Sequence, residues 1–363
     1  MVVVAKLWWR LRFDSENGFG DILELLTKSP EGLYCEAGDF HIDPWRPVKR
    51  AVITHAHSDH ARFGSQKYLA THESVPLIRA RLGASTNIRG LDYGEVLTIG
   101  SARVSLHPAG HVLGSAQVRV EVAGRVAVVT GDYKRQSDAT CKDFEPVPCD
   151  LLVTESTFGL PIYRWKEDDV LQREILDWWA NNRQQKRPSV LYGYALGKSQ
   201  RLLSMASGEL GPIYIHGALQ TPTTIYREAG VVLPKTKLVR EAPAGYRFDD
   251  ALVLAVPSAH GTSWLRRFRN ASTAMASGWM QVRGQRRRRS MDRGFVVSDH
   301  ADWPGLLQTV KETQASEVWT THGSSDVLAR YLAELGLVTR SLETEYGRDE
   351  EQDQGFTQAE DEQ

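Results

Sequence analysis

The chain has few cysteines and no long apolar run. Its 363 residues include three unevenly spaced cysteines, Cys35, Cys141 and Cys149, without a C-x-x-C pair. A disulfide framework and a cysteine zinc site are therefore not expected. No stretch of about 18 or more apolar residues occurs, so we expect no membrane span. The apolar start MVVVAKLWWRLRF lacks the cleavage site of a signal peptide, and the expected location is cytoplasmic.

The net charge is small, but it is unevenly distributed along the chain. Residues 343–363 contain nine acidic residues and one basic residue, so the net charge of this stretch is −8. Because the net charge of the whole chain is −1, the preceding 342 residues have a net charge of +7. The segment 346–363 has few apolar residues, which predicts a disordered acidic tail. Such tails often only solubilise a protein. The basic remainder is expected of a protein that meets a polyanion.

Three of the 11 histidines lie in one short stretch, ITHAHSDHA, at residues 53–61. The preceding run RAVIT, residues 50–54, is rich in β-branched and apolar residues and predicts a short buried strand. A loop at the end of a strand would bring His55, His57, Asp59 and His60 to the rim of a sheet. Nitrogen and oxygen ligands at this density indicate a site for two neighbouring divalent metal ions.

Other histidines and acids also follow or close predicted strands. They are Asp43 in FHIDPW, His111 in LHPAGHVLGSAQ, Asp132 in VAVVTGDYKR and His322 in EVWTTHG. Each one alone is more often a core or turn residue than a ligand. Together with the cluster at 55–60, they indicate convergence on one sheet edge.

The order of predicted elements indicates an interrupted α/β fold. Short strand-like runs alternate with glycine and proline over residues 31–160. A helix is predicted at 169–184, and strands then alternate with helices as in an α/β subdomain. Strand-then-histidine units return at GFVVSDH and EVWTTHG. We therefore expect a first domain at 1–164, an inserted domain at 165–292 and a return segment at 293–345.

Seven motifs in order carry a family resemblance: IDPW, THAHSDHA, AGHVLGSAQ, TGDY, TEST, SDHAD and THG. The series resembles the β-CASP nuclease branch of the metallo-β-lactamase fold, whose members cut nucleic acid. The stretches YCEAGDFHIDPWRPVKRAVITHAHSDHAR, YALGKSQRLL and GFVVSDHADWPGL are most similar to bacterial ligase-associated DNA exonucleases, which are Artemis-like. The resemblance implies an αββα sandwich with an inserted α/β β-CASP domain.

The resemblance also implies roles for individual residues. His55, His57 and His111 would hold a first metal, Asp59, His60 and His322 a second, and Asp132 would bridge the two. Asp43 would orient a ligand histidine. His300 would protonate the leaving oxygen while Glu155 holds its imidazole, and Asp59 would join them in catalysis. Nitrogen and oxygen ligands without a thiolate suit zinc best and also admit manganese.

Several basic and small residues of the inserted domain are candidates for substrate binding. Lys198 and Arg201 follow a glycine turn before a predicted helix, and Ser272 and Ser277 could admit a phosphate closely. The basic run 283–289 fits contact with nucleic acid, although most such runs are simply solvated.

Several functions stay open at the level of the sequence. The leading one is a metal-dependent DNA exonuclease in repair, with 5′-to-3′ polarity and with DNA ligase and helicase as expected partners. An RNA-processing endo- or exoribonuclease is the main alternative, because both nucleic acids present the same phosphates. A small-ester or lactam hydrolase and a non-catalytic nucleic-acid scaffold are disfavoured by the inserted domain and by the full ligand set.

Overall fold

The computed structural model describes residues 24–206, 208, 210–282 and 291–344. Within these ranges the strands form three sheets, and the α/β class expected from the sequence is confirmed. The predicted acidic tail at 346–363 and the basic run at 283–289 lie outside the described residues. No helix in the described ranges has the length and apolarity needed to cross a membrane.

Two sheets are built from residues 27–155 and 317–341. The first has the order β1-β2-β3-β4-β5-β6. Its strands are β1 Thr27–Ser29, β2 Gly32–Cys35, β3 Phe40–Ile42, β4 Ala51–Val52, β5 Tyr68–Thr71 and β6 Ile88–Leu91. The second has the order β19-β18-β11-β10-β9-β8-β7. Its strands are β7 Val96–Ile99, β8 Ala102–Pro108, β9 Ala116–Val122, β10 Arg125–Val129, β11 Leu151–Glu155, β18 Glu317–Thr321 and β19 Val338–Ser341.

A third sheet has the order β14-β13-β15-β12-β16-β17, and its strands are parallel. They are β12 Ser189–Tyr192, β13 Ile213–Ile215, β14 Lys237–Leu238, β15 Leu252–Ala255, β16 Ser272–Ala276 and β17 Arg293–Phe295. The last strand starts one residue beyond the predicted insertion 165–292, whose boundaries stay a prediction. Strands β12 and β15 are buried throughout, as is usual for a parallel sheet covered on both faces.

Helices cover the outer faces of the sheets. They are α1 Val75–Leu82, α2 Asp168–Gln184, α3 Lys198–Met205, α4 Gln220–Glu228, α5 Trp303–Thr313 and α6 Ser325–Glu334. Helix α2 begins one residue before the predicted helix at 169–184. Its buried face, which includes Trp178 and Trp179, packs in the same core as the third sheet.

Strand alternation places a core on each face of the second sheet. Val129 of β10 and Val153 of β11 point inward and pack with Ile42 and Val52 of the first sheet. Val128 and Leu152, the residues just before them, point outward to helices α5 and α6. This period of two follows from strand geometry and produces the layered helix–sheet–sheet–helix arrangement. On the far side, α1 packs on the outer face of the first sheet.

The parallel run of β10, β11 and β18 decides where the polar residues meet. Val129 is in register with Val153, and Glu155 is in register with Thr321. The carboxyl ends of the three strands therefore lie along one edge of the second sheet. Asp132, Glu155 and His322 follow or end these strands, so the topology brings them together from positions up to 190 residues apart.

Candidate active site

A first group of possible metal ligands joins the histidine loop to two later segments. His57 Nδ1 lies 3.0 Å from His55 Nε2 and 3.1 Å from His111 Nε2. Asp132 Oδ2 lies 3.5 Å from His55 Nε2 and 3.8 Å from His111 Nε2. The four ligand atoms lie within 4.8 Å of one another. They thus surround a single point, as the ligands of one metal ion would.

A second group lies beside the first. His60 Nε2 is 3.6 Å from Asp59 Oδ2 and 3.4 Å from Asp132 Oδ2. The ring of His322 stacks on that of His60, with centroids 5.5 Å apart. The ligand atoms of Asp59, His60 and His322 lie within 4.8 Å of one another. Because Asp132 Oδ2 is close to histidines of both groups, its carboxylate stands between two adjacent sites.

The donor atoms fit divalent metal ions. Four ligands at about 2.0–2.1 Å from a zinc ion lie roughly 3.3 Å apart in a tetrahedron, which matches the ligand separations in the first group. Asp132 Oδ1 is buried and has no hydrogen-bond partner among the described residues. A buried carboxylate oxygen without a partner is costly, and coordination of a cation would remove that cost. Imidazole and carboxylate donors suit zinc and admit manganese.

The second ring nitrogen of the candidate ligands is held by the surrounding protein. His60 Nδ1 lies 2.7 Å from Asp43 Oδ2, and the same carboxylate accepts the Thr54 backbone N–H at 2.8 Å through Oδ1. His111 Nδ1 lies 2.7 Å from the backbone oxygen of Asp299. Such contacts orient metal-binding imidazoles and select their tautomer. Asp43 thus lies within hydrogen-bond distance of His60.

Two of these residues have backbone conformations that are uncommon for residues other than glycine. The φ angle is 44° at Asp43 and 57° at His322, both in the left-handed region. Conformations of this kind cost free energy and are often found at functional sites, where the surrounding structure maintains them. Here they turn the chain sharply just after a strand, so that the side chains face the site.

The electrostatics of the site favour positive charge between its carboxylates. Burial alone would lower the pKa of His60, but Asp132, Asp59 and Asp43 together raise it well above its usual value. Burial opposes ionisation of Asp132, but the nearby His60 and His300 hold the pKa of Asp132 well below its usual range. Burial lowers the pKa of His55 well below its usual value, and the neighbouring His60 adds to this. Ionised carboxylates and neutral imidazoles are the forms that bind metals.

A third contact lies next to the metal groups. His300 Nδ1 lies 2.8 Å from Glu155 Oε2, and Glu155 Oε1 accepts the Tyr133 backbone N–H at 2.7 Å. The His300 ring is 4.8 Å from that of His111, centroid to centroid. His300 therefore lies beside the first group, and its contact with Glu155 fixes the orientation of its ring. A general acid or base needs a ring that is oriented in this way.

These residues open into a wide cleft. Its walls combine residues of the two ligand groups with segments that follow β12 and β16 of the third sheet and with residues at the end of β19. Of the predicted substrate residues, Ser277 and Lys198 line the cleft. The Ser277 hydroxyl accepts the Trp279 backbone N–H at 3.3 Å, and the Lys198 ammonium donates to Asp299 and to the Val297 carbonyl.

The other two predicted substrate residues, Arg201 and Ser272, do not line the cleft. Arg201 is 1% exposed, and its guanidinium faces the carboxylates of Asp138, Asp168 and Asp299. Its charge is already neutralised within the protein. Ser272 lies at the start of β16, and its hydroxyl accepts a hydrogen bond from the Trp178 indole at 3.0 Å. It belongs to the core, at the opposite end of the strand from Ser277.

The sequence reasoning missed several residues that line the cleft. Lys28, Arg62 and Arg340 supply positive charge along it, and Phe158 and Trp279 supply aromatic surface. The Phe158 and Trp279 rings are in contact, with centroids 4.8 Å apart. Arg62 follows the histidine cluster directly, which could have marked it as a candidate. The others carry no local sequence signal, because only the fold brings them to the cleft.

Comparisons with known proteins point to nucleases. The chain is 30% identical over 318 residues to a protein named probable DNA ligase from Opitutus terrae, covering 86% of this chain. It is 31% identical over 169 residues to endoribonuclease YSH1 of Gibberella zeae, covering 45% of this chain. It is 27% identical over 225 residues to an RNase J-like protein of Methanocaldococcus jannaschii, covering 54% of this chain.

These matches cover only part of the relatives. The aligned regions span 30%, 19% and 53% of their respective lengths. No protein-family profile matches the chain. Among solved structures, a protein of unknown function from Enterococcus faecalis is similar, with a TM-score of 0.58 and 12% identity over 83% of this chain and 80% of that one. This last likeness concerns the fold alone.

Proposed function

The chain belongs to the β-CASP nuclease family of the metallo-β-lactamase fold, and from this we propose that it hydrolyses phosphodiester bonds in DNA as a metal-dependent exonuclease acting in repair. The observation that carries the proposal is the position of Asp132 Oδ2, which lies 3.4–3.8 Å from imidazole nitrogens of both ligand groups. A carboxylate shared in this way suits a two-metal site.

Seven residues would hold the metal ions. The first group would bind one ion, the second group the other, and Asp132 would bridge them: His55, His57, His111, Asp59, His60, His322 and Asp132. Two divalent cations in such a site supply charge stabilisation for the anionic phosphodiester and a water of lowered pKa. Zinc is the proposed metal, and manganese the alternative.

His300 would act on the leaving group. The Glu155 carboxylate lies 2.8 Å from its Nδ1. Proton transfer at the substrate would therefore involve the other ring nitrogen, Nε2. With a proton on Nε2, the imidazole would donate it to the 3′-oxygen as the P–O bond breaks. Glu155 stabilises the charged imidazole and fixes the ring.

The cleft would hold the nucleic-acid strand. Lys28, Arg62 and Arg340 are placed to contact backbone phosphates, which supplies much of the affinity in such complexes. Phe158 and Trp279 offer a surface on which a base can stack. Ser277 lies beside them and is proposed as a phosphate contact.

DNA is the proposed substrate because the relative that covers most of this chain carries the name of a DNA ligase. The relatives named as ribonucleases align over about half of the chain or less. RNA processing is therefore the second candidate. The name of the same relative supports a DNA ligase as a partner in repair, and a helicase partner rests on the sequence resemblance alone.

End-labelled substrates test the activity, its polarity and its substrate together. The purified chain is given single- and double-stranded DNA and RNA, labelled at the 5′ or the 3′ end, with zinc, with manganese and with a chelator. A 5′-to-3′ exonuclease releases a 5′ label at once as a small product and leaves circular single-stranded DNA intact. Faster cleavage of RNA would favour the second candidate. Absence of cleavage with both metals would refute the nuclease proposal.

A further inference from the structure

Side chains in the amino-terminal turn of helix α3 bind residues 297–299, which directly precede His300. Lys198 Nζ lies 2.8 Å from Asp299 Oδ2, and Arg201 Nη1 lies 3.0 Å from Asp299 Oδ1. The same two cations also donate to the backbone carbonyls of Val297 and Ser298. Helix α3, which packs in the same core as the third sheet, thus makes four contacts with the three consecutive residues 297–299.

Segment 297–299 also contacts the candidate catalytic residues. The backbone oxygen of Asp299 accepts from His111 Nδ1 at 2.7 Å. The next residue, His300, contacts Glu155 at 2.8 Å. Asp299 therefore connects two sets of groups, with its side chain bound to α3 and its backbone bound to a proposed metal ligand.

The charges around Asp299 are balanced and largely withdrawn from water. Three cations and three carboxylates form one cluster: Lys134, Lys198, Arg201, Asp138, Asp168 and Asp299. Asp299 is 5% exposed, Lys198 4% and Arg201 1%. Burial opposes ionisation of Asp299, but Lys198 and Arg201 outweigh it and hold the pKa of Asp299 far below its usual range. Since each cation has its carboxylate, the cluster has no surplus charge for a phosphate.

We propose that Lys198 and Asp299 are positioning residues, through which the third sheet and its helices hold His111 and His300 in their working orientation. This inference rests on the proposed two-metal nuclease function. It assigns Lys198 a role different from the phosphate contact predicted from the sequence. Docking of helix α3 on segment 297–299 would be required for the first metal group and for the His300–Glu155 pair to form together.

The second metal group provides an internal comparison. Its histidine His60 is oriented by Asp43, and that contact does not involve helix α3. A change at Asp299 should therefore weaken the first group, which contains His111, and spare the second. A general loss of folding would weaken both groups alike.

The test uses the full chain with Asp299→Asn, which keeps the shape of the side chain and removes its charge. Lys198→Met is the second, milder variant, because Arg201 still faces Asp299 in it, and Lys198→Arg is the conservative replacement. Glu312→Gln is the matched control, since it breaks the Arg135–Glu312 pair, at 2.7 Å, away from the cleft. Each variant is first compared by thermal unfolding without metal.

Metal binding is the readout that does not need activity. Chelator-treated protein is titrated with zinc or cobalt(II) alone, and stoichiometry, the two affinities and the cobalt absorption bands are measured. We expect Asp299→Asn and Lys198→Met to weaken one of two sites by roughly 10–100-fold, the cost typical of losing an orienting contact. The other site should be unchanged, Lys198→Arg should recover most of the loss, and Glu312→Gln should match the unaltered chain. If a nuclease assay is active, the variants should lower kcat more than they raise KM.

Equal weakening of both sites, or unaltered metal binding in a folded Asp299→Asn protein, would overturn the proposal. If Asp299→Asn does not fold, Lys198→Met decides by the same criteria. Failure of the proposed nuclease function is separately visible, because the unaltered chain would then bind two metals and cleave nothing. In that case the titration still tests the positioning role.

Discussion

Glu155 and His300 are paired across the second sheet's edge, with His300 Nδ1 2.8 Å from Glu155 Oε2. The residues are 145 positions apart in the chain, and the glutamate ends β11. The other oxygen of Glu155 accepts the Tyr133 N–H at 2.7 Å, so the carboxylate cannot turn away from the imidazole without losing that bond. The proposed proton transfer by His300 needs an imidazole that is held in a fixed orientation, and these two contacts would provide it.

Replacement of His300 by alanine should lower turnover by about 10²–10⁴-fold, the usual cost of losing a general acid. The metals and substrate affinity should be retained, because the seven proposed ligands do not include this residue. The loss should shrink on a nitrophenyl phosphodiester, whose leaving group needs no proton. Steady-state kinetics on both substrates and metal analysis give the measurement. Loss of a metal ion, or equal slowing on both substrates, would instead make His300 a ligand or a positioning residue.

Asp132→Ala should abolish nuclease activity and reduce the bound metal at both sites, because Asp132 Oδ2 lies near histidines of both groups. Asp59→Ala should abolish activity but remove only one metal, since Asp59 belongs to the second group alone. Metal content after dialysis, thermal unfolding and cleavage of labelled DNA check both outcomes. The control is Asp143→Ala, at an exposed position outside the site. Two full metal equivalents in the Asp132 variant would refute the bridging assignment.

Trp279→Ala should weaken binding of single-stranded DNA and affect the chemical step less. Trp279 lines the cleft and contacts Phe158, and stacking of a base on an aromatic side chain contributes about 1–3 kcal/mol. That corresponds to an increase in KM of roughly 5–150-fold. Trp264→Ala is the matched control, a half-buried tryptophan that packs on His216 and Phe268. Equal effects of the two substitutions on KM would argue against a stacking role.

The ionised, buried carboxylate of Asp138 should make the free energy of unfolding depend on pH in the acid range. Burial opposes its ionisation, but Lys134 and Arg201 outweigh this and lower the pKa of Asp138 below its usual value. A carboxylate with a lowered folded-state pKa stabilises the protein above its unfolded pKa, about 3.9, and this contribution disappears as pH falls through the folded-state value. Asp138→Asn should therefore be less stable than the unaltered chain near pH 7, by about 3–5 kcal/mol, and the difference should narrow below about pH 4.

Denaturant unfolding at a series of pH values measures this difference. The exposed Asp143→Asn serves as the control, and its stability should follow that of the unaltered chain at every pH. A deficit of Asp138→Asn that stays constant down to pH 2 would show that the carboxylate is not the group that titrates.

Most residues of the candidate site could be inferred from the sequence. The cluster at His55–His60, the strand-ending Asp132 and His322, and the family motifs pointed to residues that the structure brings together as two groups of candidate metal ligands. The reason is local, since a ligand at the end of a short buried strand must lie at a sheet edge, and parallel neighbours share that edge. The α/β class followed from the same alternation of strands and helices.

Only the tertiary structure shows which groups Lys198 and Arg201 bind. Lys198 and Arg201 follow a glycine turn, a pattern typical of phosphate binding, and the sequence does not show that Asp299, about 100 residues later, lies against them. Likewise, Ser272 and Ser277 are near neighbours in sequence, but opposite ends of one strand send one into the core and the other to the cleft. The sequence determines which candidate metal-ligand residues are present and in what order. Which charges meet depends on long-range packing, because a buried cation is stable only beside the carboxylate that the fold brings to it.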